Sequence, residues 1–375
     1  MKNKLVVLLI SLTLVMSLVI VGCPAPAPPE VAELEKEVAA ERAKVAAEKA
    51  RVAELEEEIA GMVPAPEVYK WRQQRYYGPA YDHLYEWFKD DIETLSDGRL
   101  QIEIFRGAEI VPNDMLLEAV SDGTLEVGVG FGAYWPGLVD VGIIESGLAT
   151  TWGSLGEALW FWYEKGFIDL VQEAYAEHNV LYICPEFGSD YELLTKVPVH
   201  SLDDMKGLKI RATAAVAAIL EKFDIPTVYL PPEELYLALA TGTIDGLIYG
   251  GAFDYKQLKL HEVATYYTKV LLLKPGYVDN HLVNMDAWNT LPEDLQRILE
   301  MGCFEVAREF HVFAETGNYE VVGEELFTIT SLPPEDGARL VAAAQEVWDE
   351  EAAKSPRCAK AIEMLREMAK SLGRL

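Results

Sequence analysis

One arginine holds most of the recognition chemistry that this sequence offers. Arg211 ends the apolar stretch Leu208-Lys-Ile-Arg211. A guanidinium at a strand end presents parallel N–H donors that match a carboxylate bidentately, and its charge is not titrated away. By position alone, the same residue also fits a solvated surface cation. Other chemistries are poorly supplied. The six histidines (His83, His178, His200, His261, His281 and His311) have no metal-ligand spacing and no suggestive acid beside them. Gly128-Val-Gly130-Phe-Gly-Ala133 carries the glycines of a dinucleotide fingerprint. Tyr134-Trp135-Pro136 follows, where that motif needs a helix to hold pyrophosphate. Gly153-Ser154-Leu155-Gly156 lacks the first glycine of a nucleophile elbow. Asp203-Asp204 and Glu233-Glu234 fall at helix starts, where acids favour the dipole, and read as solvated caps. No nucleophile or acid–base pair converges, so neither an enzyme nor a cofactor or metal is expected.

The elements that must position such a cation are announced by a phrase that occurs twice. Glu118-Ala-Val-Ser-Asp-Gly123-Thr-Leu-Glu126-Val-Gly-Val-Gly130 is echoed by Leu237-Ala-Leu-Ala-Thr-Gly242-Thr-Ile-Asp245-Gly-Leu-Ile-Tyr249-Gly250. Each reads as a helix stopped by a C-terminal glycine and followed by a short apolar strand. Gly123 and Gly242 stand about 119 residues apart, which predicts two similar α/β lobes with a cleft between them. The glycines that end both strands would let backbone approach a ligand. Tyr69–Tyr76, Leu100–Phe105, Val180–Pro185, Tyr191–Lys196, Leu208–Arg211 and Thr227–Leu230 read as strands. Pro79–Ser96, Leu155–Ala176, Val216–Phe223, Leu291–Phe313 and much of 333–372 read as helices. Strands alternating with helices predict a mostly parallel sheet.

The N-terminal region stands apart. Lys2 and Lys4 precede an apolar run, Leu5–Val21, that closes in Ile20-Val21-Gly22-Cys23. A small residue before Cys23 is what a lipoprotein signal peptide presents, with Cys23 becoming the lipidated first residue; an uncleaved anchor is the alternative. Either puts the remainder outside the cytoplasm. Pro24-Ala-Pro-Ala-Pro-Pro29 is an extended spacer. Val31, Val38, Val45, Val52 and Ile59 then recur every seventh residue, with Leu34, Glu41, Glu48, Leu55 and Met62 at the second seam position. This pattern over 31–62 predicts a coiled-coil helix, either a plain stalk or a zipper joining copies of the chain. The formal charge of −29 excludes nucleic acid as a partner. Apart from Cys23, Cys184, Cys303 and Cys358 match no zinc spacing and read as core thiols.

At Ser201-Leu-Asp-Asp-Met-Lys-Gly207-Leu-Lys-Ile-Arg211 the chain resembles the DctP-type substrate-binding proteins of tripartite ATP-independent periplasmic (TRAP) transporters. Ile225-Pro226, Pro232-Glu233-Glu234 and Ala238-Leu-Ala-Thr-Gly-Thr-Ile-Asp-Gly246 continue the pattern in order. Ala133-Tyr134-Trp135 and Glu186-Phe187-Gly188 also match, and the resemblance runs from about Tyr69 to the C-terminal region. It implies a type II periplasmic-binding fold with a long helix along the back. Lobe I would be 67–189 with 278–310, and lobe II 190–277 with 311–375, after a signal over 1–23 and a spacer and stalk over 24–66. It implies a small organic carboxylate held by Arg211 and delivered to a membrane permease; the alternatives are an extracytoplasmic hydrolase or lyase using the same cleft, or a coiled-coil docking or assembly protein. The segment Ile244–Asp254, with Leu260-His-Glu-Val-Ala-Thr-Tyr266-Tyr267 and Pro275-Gly276, looks most like the subgroup for 2-oxo and 2-hydroxy acids. Members of that subgroup often carry Glu-Trp after the Ile-Asp strand, the Glu helping to hold a cation. Here Ile248-Tyr249 stand there, so no metal is expected, while Tyr249 is placed to pack on the ligand or donate its hydroxyl. Asp190 falls near a Gln of that subgroup, where an acid repels a carboxylate and suits a hydroxyl or amine. The candidate binding residues are thus Arg211, Tyr249, Asp190, Trp135 and Asp254.

Overall fold

The computed structural model describes residues 29–62, 66–135 and 137–375. Cys23, the apolar leader and the first part of the spacer lie outside the described residues. The chain forms two units, Met1–Pro66 and Glu67–Leu375. In the first, α1 (Pro29–Met62) is one uninterrupted helix of 34 residues, about 51 Å long at 1.5 Å per residue. Leu34, Val45, Val52 and Leu55 of its seam are exposed.

The second unit is built on two sheets. Sheet A contains β1 (Tyr69–Arg75), β2 (Leu100–Phe105), β3 (Val127–Gly130), β4 (Val180–Phe187) and β10 (Val278–Asn284), in the order β2-β1-β3-β10-β4. Sheet B contains β5 (Tyr191–Thr195), β6 (Ile210–Arg211), β7 (Thr227–Val228), β8 (Gly246–Ile248), β9 (Tyr266–Leu273) and β11 (Thr328–Ser331), in the order β11-β9-β5-β8-β6-β7. The parallel trios β2-β1-β3 and β7-β6-β8 correspond, and each carries one copy of the repeated phrase.

The correspondence extends to single hydrogen bonds. Helix α2 (Asp82–Leu95) lies on sheet A, and α3 (Leu116–Ser121) opens the first phrase. After α3, Gly123 has φ +78°; after its counterpart, Leu235–Thr241, Gly242 has φ +77°. Glycine meets this left-handed turn without the steric cost that other residues incur. Leu125 N–H donates to Ala119 O in one copy, and Ile244 N–H to Ala238 O in the other. The two acids do the same work. Glu126 accepts from Arg72 N–H at 2.7 Å, and Asp245 from Lys209 N–H at 2.9 Å, each fastening the neighbouring parallel strand.

The glycines that end the strands serve packing rather than ligand approach. A Cβ on Gly128 would meet Val120 at 2.8 Å, and one on Gly130 would collide with the Trp135 ring. The missing side chains let α3 and Trp135 lie flat on β3. At the end of β8, a Cβ on Gly250 would strike the Asp254 carboxylate, and one on Gly251 would strike Asn318.

Two short segments connect the sheets, from Phe187 to Tyr191 and from Leu273 to Val278. They run side by side, with Gly188 N–H donating to Tyr277 O and Gly276 N–H to Ser189 O. A third connection is helical. Helices α4 (Phe167–Ala176), α5 (Ala214–Glu221), α6 (Leu235–Thr241) and α7 (Ala252–Gln257) precede α8 (Glu293–Gly323). α8 packs on α2 and β4 beside sheet A and on α7 beside sheet B. The sequence pattern ended this helix at Phe313. It continues because Gly317 lets the Phe253 ring approach and Asn318 accepts from Phe253 N–H. Likewise Leu155–Ala176 is not one helix. It is broken at Gly166, with φ +81°, after a wide turn over Trp160–Glu164 that seats Phe161 and Trp162 in the core.

After α9 (Pro334–Ala352), α10 (Pro356–Ser371) returns to the sheet A side and packs against α4. The sequence division put 311–375 wholly in the second lobe. Arg357 pairs with Asp140 and Glu177, and Arg374 with Glu157, so the C-terminal segment is fastened to the 67–189 part of the chain. Cys184, Cys303 and Cys358 are buried free thiols.

Candidate ligand-binding site

The site forms where the parallel trio of sheet B ends. Arg211 closes β6, the strand between β7 and β8. Its Nε donates to Leu230 O at 2.9 Å, just past β7, and Nη1 to Ile248 O at 3.3 Å, the last residue of β8. The guanidinium carbon lies 5.1 Å from the ring centres of both Tyr229 and Tyr249. Flanking strands thus fix the plane of the fork, and the remaining N–H groups are free for a ligand at the carboxyl ends of the strands. The Tyr249-Gly250 turn is held from beneath, because both N–H groups donate to the Tyr255 hydroxyl, which itself donates to Glu192 O.

Arg211 is 2% exposed, and no carboxylate among the described residues lies within ion-pair distance of it. Arg75, equally buried, is paired with Asp82. Taking a guanidinium out of water without a counter-ion costs several kcal/mol. Two carbonyls and two rings compensate only in part. A buried cation left in this state is a seat for an anion.

The cavity in front of Arg211 encloses about 40 Å³ and is lined by residues from both sides of the groove. Tyr76, Tyr77, Tyr81, Phe131 and Tyr134 come from the sheet A side. Tyr191 and Tyr277 come from the crossing segments, and Arg211, Thr213, Tyr229, Tyr249 and Asp254 from the sheet B side. An open groove of about 630 Å³ adjoins it and shares Phe131, Tyr134, Thr213 and Tyr229. The two sides touch, since Tyr81 O–H donates to Asp254 Oδ1 at 3.2 Å across the groove.

Buried carboxyl groups hold the tyrosine wall in place. Tyr76 O–H donates to Asp279 at 2.9 Å. Tyr77 and Tyr85 donate to the two oxygens of Glu186 at 2.7 and 2.9 Å, and His281 Nε2 lies 3.1 Å from the same carboxylate. Tyr81 stacks on Phe310 of α8 with ring centres 4.5 Å apart. Burial pushes the Tyr76, Tyr77 and Tyr81 hydroxyls well above their ordinary range, so they remain protonated. Burial also raises Asp254 to about 6, opposed by hydrogen bonds from Gly251 N–H and Tyr81.

Of the five residues singled out in the sequence, the structure brings Arg211, Tyr249 and Asp254 together around one cavity. Trp135 is not among the lining residues. It is 2% exposed, its ring covers Gly130, and its Nε1 donates to Asp114 O at 3.0 Å, which makes it part of the packing of β3. Asp190 also stands outside the lining, on the first crossing segment, 3.0 Å from Lys274 Nζ. Sequence reasoning missed the tyrosines other than Tyr249. A signal was present: Tyr76-Tyr77, Phe131, Tyr229 and Tyr249 each follow the carboxyl end of a parallel strand. No group of three metal-ligating side chains occurs among the described residues. Ile248, which stands where the resemblance led to the expectation of no metal-holding carboxylate, is fully buried and offers its carbonyl to Arg211.

The chain is 29% identical over 216 residues to a monocarboxylate 2-oxoacid-binding periplasmic protein of Nostoc sp., covering 57% of this chain and 59% of that relative. The chain therefore spans about three fifths of that relative's length. It is 22% identical over 303 residues to a solute-binding protein of Albidiferax ferrireducens, covering 76% of this chain and 86% of the relative. Among solved structures, a TRAP periplasmic solute-binding protein from Chromohalobacter salexigens with bound (S)-(+)-2-amino-1-propanol superposes with a TM-score of 0.75. It is 25% identical, over 82% of this chain and 98% of its own. A TRAP protein from Colwellia psychrerythraea with bound calcium and pyruvate gives 0.73 at 24% identity, over 82% of this chain and 95% of its own. The model of family 7 of the bacterial extracellular solute-binding proteins, named DctP, matches residues 78–355. Fold, cleft and family model agree, and the chain belongs to the DctP family of bacterial extracellular solute-binding proteins.

Proposed function

We propose that this protein is an extracytoplasmic solute receptor of a TRAP-type transporter, which captures a small organic carboxylate on Arg211 and delivers it to a membrane permease. The observation that carries this reading is a cation that is 2% exposed, fixed by two carbonyls and left without a counter-ion. A carboxylate meets the free edge of the fork with two parallel N–H···O bonds. The ligand is small. A water needs roughly 10–15 Å³ of such space, so the cavity of about 40 Å³ takes the carboxylate end of a ligand, beside the adjoining groove. Capture proceeds by closure of the two sides around the ligand, in proportion to the extra contacts that the closed form makes. No bond is made or broken. Tyr249 forms one wall beside the carboxylate.

The N-terminal region serves attachment in this reading. Cys23 carries the lipid, the Pro/Ala tract spaces the chain from the bilayer, and α1 extends it or joins copies through the 31–62 seam. Sedimentation of the full chain beside residues 67–375 decides between stalk and zipper. For the receptor role, mass spectrometry identifies small acids that co-purify with the full chain, and calorimetry measures their rebinding. Recovery of an intact carboxylic acid that rebinds unchanged is the expected result. Turnover of the recovered acid, or binding that Arg211→Met leaves untouched, overturns the assignment.

A further inference from the structure

We infer that the pocket is built for a zwitterion: a small 2-amino acid whose carboxylate lies on Arg211 and whose ammonium lies on Asp254. This deepens the carboxylate-receptor reading and rests on it. The lining includes one cation, Arg211, and one acid, Asp254. The two are not paired with each other, although they face the same small cavity.

Asp254 is held as firmly as the arginine. It sits in the first turn of α7, its Oδ2 accepting from Gly251 N–H at 3.1 Å and its Oδ1 from Tyr81 O–H at 3.2 Å. Gly250 leaves room for the carboxylate beside the backbone, where any Cβ would collide with it. A carboxylate has about four acceptor sites. Two donors leave it able to accept more, and the Tyr81 oxygen beside it keeps lone pairs after donating its proton. An ammonium, with three N–H donors, fits that pair of oxygens.

A ligand with only a carboxylate is poorly matched. It brings a second negative charge into the cavity that Asp254 also lines. Like charges repel strongly in such a poorly hydrated space. Related receptors crystallised with pyruvate hold calcium or sodium in the same structure. Among the residues lining this cavity, Asp254 is the one carboxylate. An ammonium carried by the ligand itself supplies the missing positive charge and leaves the filled site neutral.

The test is calorimetry on the full chain with four probes of matched size: alanine, lactate, pyruvate (with and without calcium) and 2-amino-1-propanol. Alanine is expected to bind at least tenfold tighter than lactate and about a hundredfold tighter than pyruvate, with or without calcium. Asp254→Asn is expected to remove that preference while retaining pyruvate binding, and its unliganded melting curve reports whether it is folded. If that variant does not fold, the ranking of the probes on the natural chain decides alone. Pyruvate or lactate equal to or tighter than alanine overturns the zwitterion and leaves the carboxylate receptor standing. Equal affinity for alanine and 2-amino-1-propanol, unchanged in Arg211→Met, overturns the carboxylate reading beneath it. No binding of any probe at 10 mM overturns the assignment to small 2-amino acids.

Discussion

Replacing Arg211 by methionine separates ligand recognition from folding more sharply than any other change. In a protein whose buried arginine is a structural anchor, its loss strands a partner carboxylate and costs about 3–5 kcal/mol. Arg211 has no such partner. The empty protein loses two hydrogen bonds, to Leu230 O and Ile248 O, worth about 1.5–3 kcal/mol each because the donor is charged. It also loses contact with the Tyr229 and Tyr249 rings, worth roughly 0.5–2 kcal/mol each. Against this, the substitution removes an uncompensated charge whose burial costs several kcal/mol. These contributions oppose one another, so the unliganded variant is expected to keep its stability within about 2 kcal/mol of the natural chain. Binding has no such compensation. A bidentate, buried carboxylate pair contributes about 3–5 kcal/mol when one partner is deleted, a loss of roughly 150- to 5000-fold in affinity. Denaturant unfolding without ligand and calorimetry with the co-purified acid measure the two quantities independently. A collapse of the empty variant by more than 4 kcal/mol, with affinity per folded molecule unchanged, would refute the argument that this charge awaits an anion.

Three further outcomes test the scaffold and its titration. Gly130→Ala drives a methyl into the Trp135 ring and to 3.1 Å from Leu116, so it should destabilise the fold by about 1–3 kcal/mol; an unchanged denaturation midpoint would show that β3 packs less tightly than described. Glu126→Ala and Asp245→Ala each release one strand-fastening N–H and should cost about 1–2 kcal/mol apiece. A large cost for one and none for the other would contradict the equivalence of the two phrases. Stability of the unliganded protein should fall as pH rises from about 4 to 8. Burial raises Asp254 to about 6, Glu192 to about 7 and Glu145 to about 8, so across that window the folded chain binds more protons than the unfolded chain. The depressed carboxyls, such as Asp82 and Asp294, act in the opposite sense but only at the acid end. A denaturation midpoint that climbs between pH 5 and 8 would contradict this sign.

The tyrosine wall shows how the fold makes a polar pocket from an apolar-looking chain. Tyr76 and Tyr77 point their hydroxyls to Asp279 and Glu186, two acids that are fully buried on adjacent strands β10 and β4. Each phenol is thereby oriented before a ligand arrives. A preoriented dipole does not lose conformational freedom when the ligand binds, so more of each contact appears as affinity.

The repeated phrase was legible because its determinants are local. A glycine at the left-handed end of a helix, a short apolar strand and one acid define a unit wherever they occur. Both units formed with the same turn, the same backbone bond and the same fastening of the neighbouring strand. Arg211 was singled out through the resemblance to a family, since its position alone fits a solvated surface cation as well. What the order of residues left open was which partners would meet it. Trp135 and Asp190 carry the right chemistry, yet one is drawn under Gly130 by packing and the other held at Lys274 by charge. Tyr81 and Asp254 stand 173 residues apart and share a hydrogen bond. Only closure of the two sheets around α8 and the paired crossing segments brings them together, because contacts across a groove depend on long-range packing that no local pattern encodes.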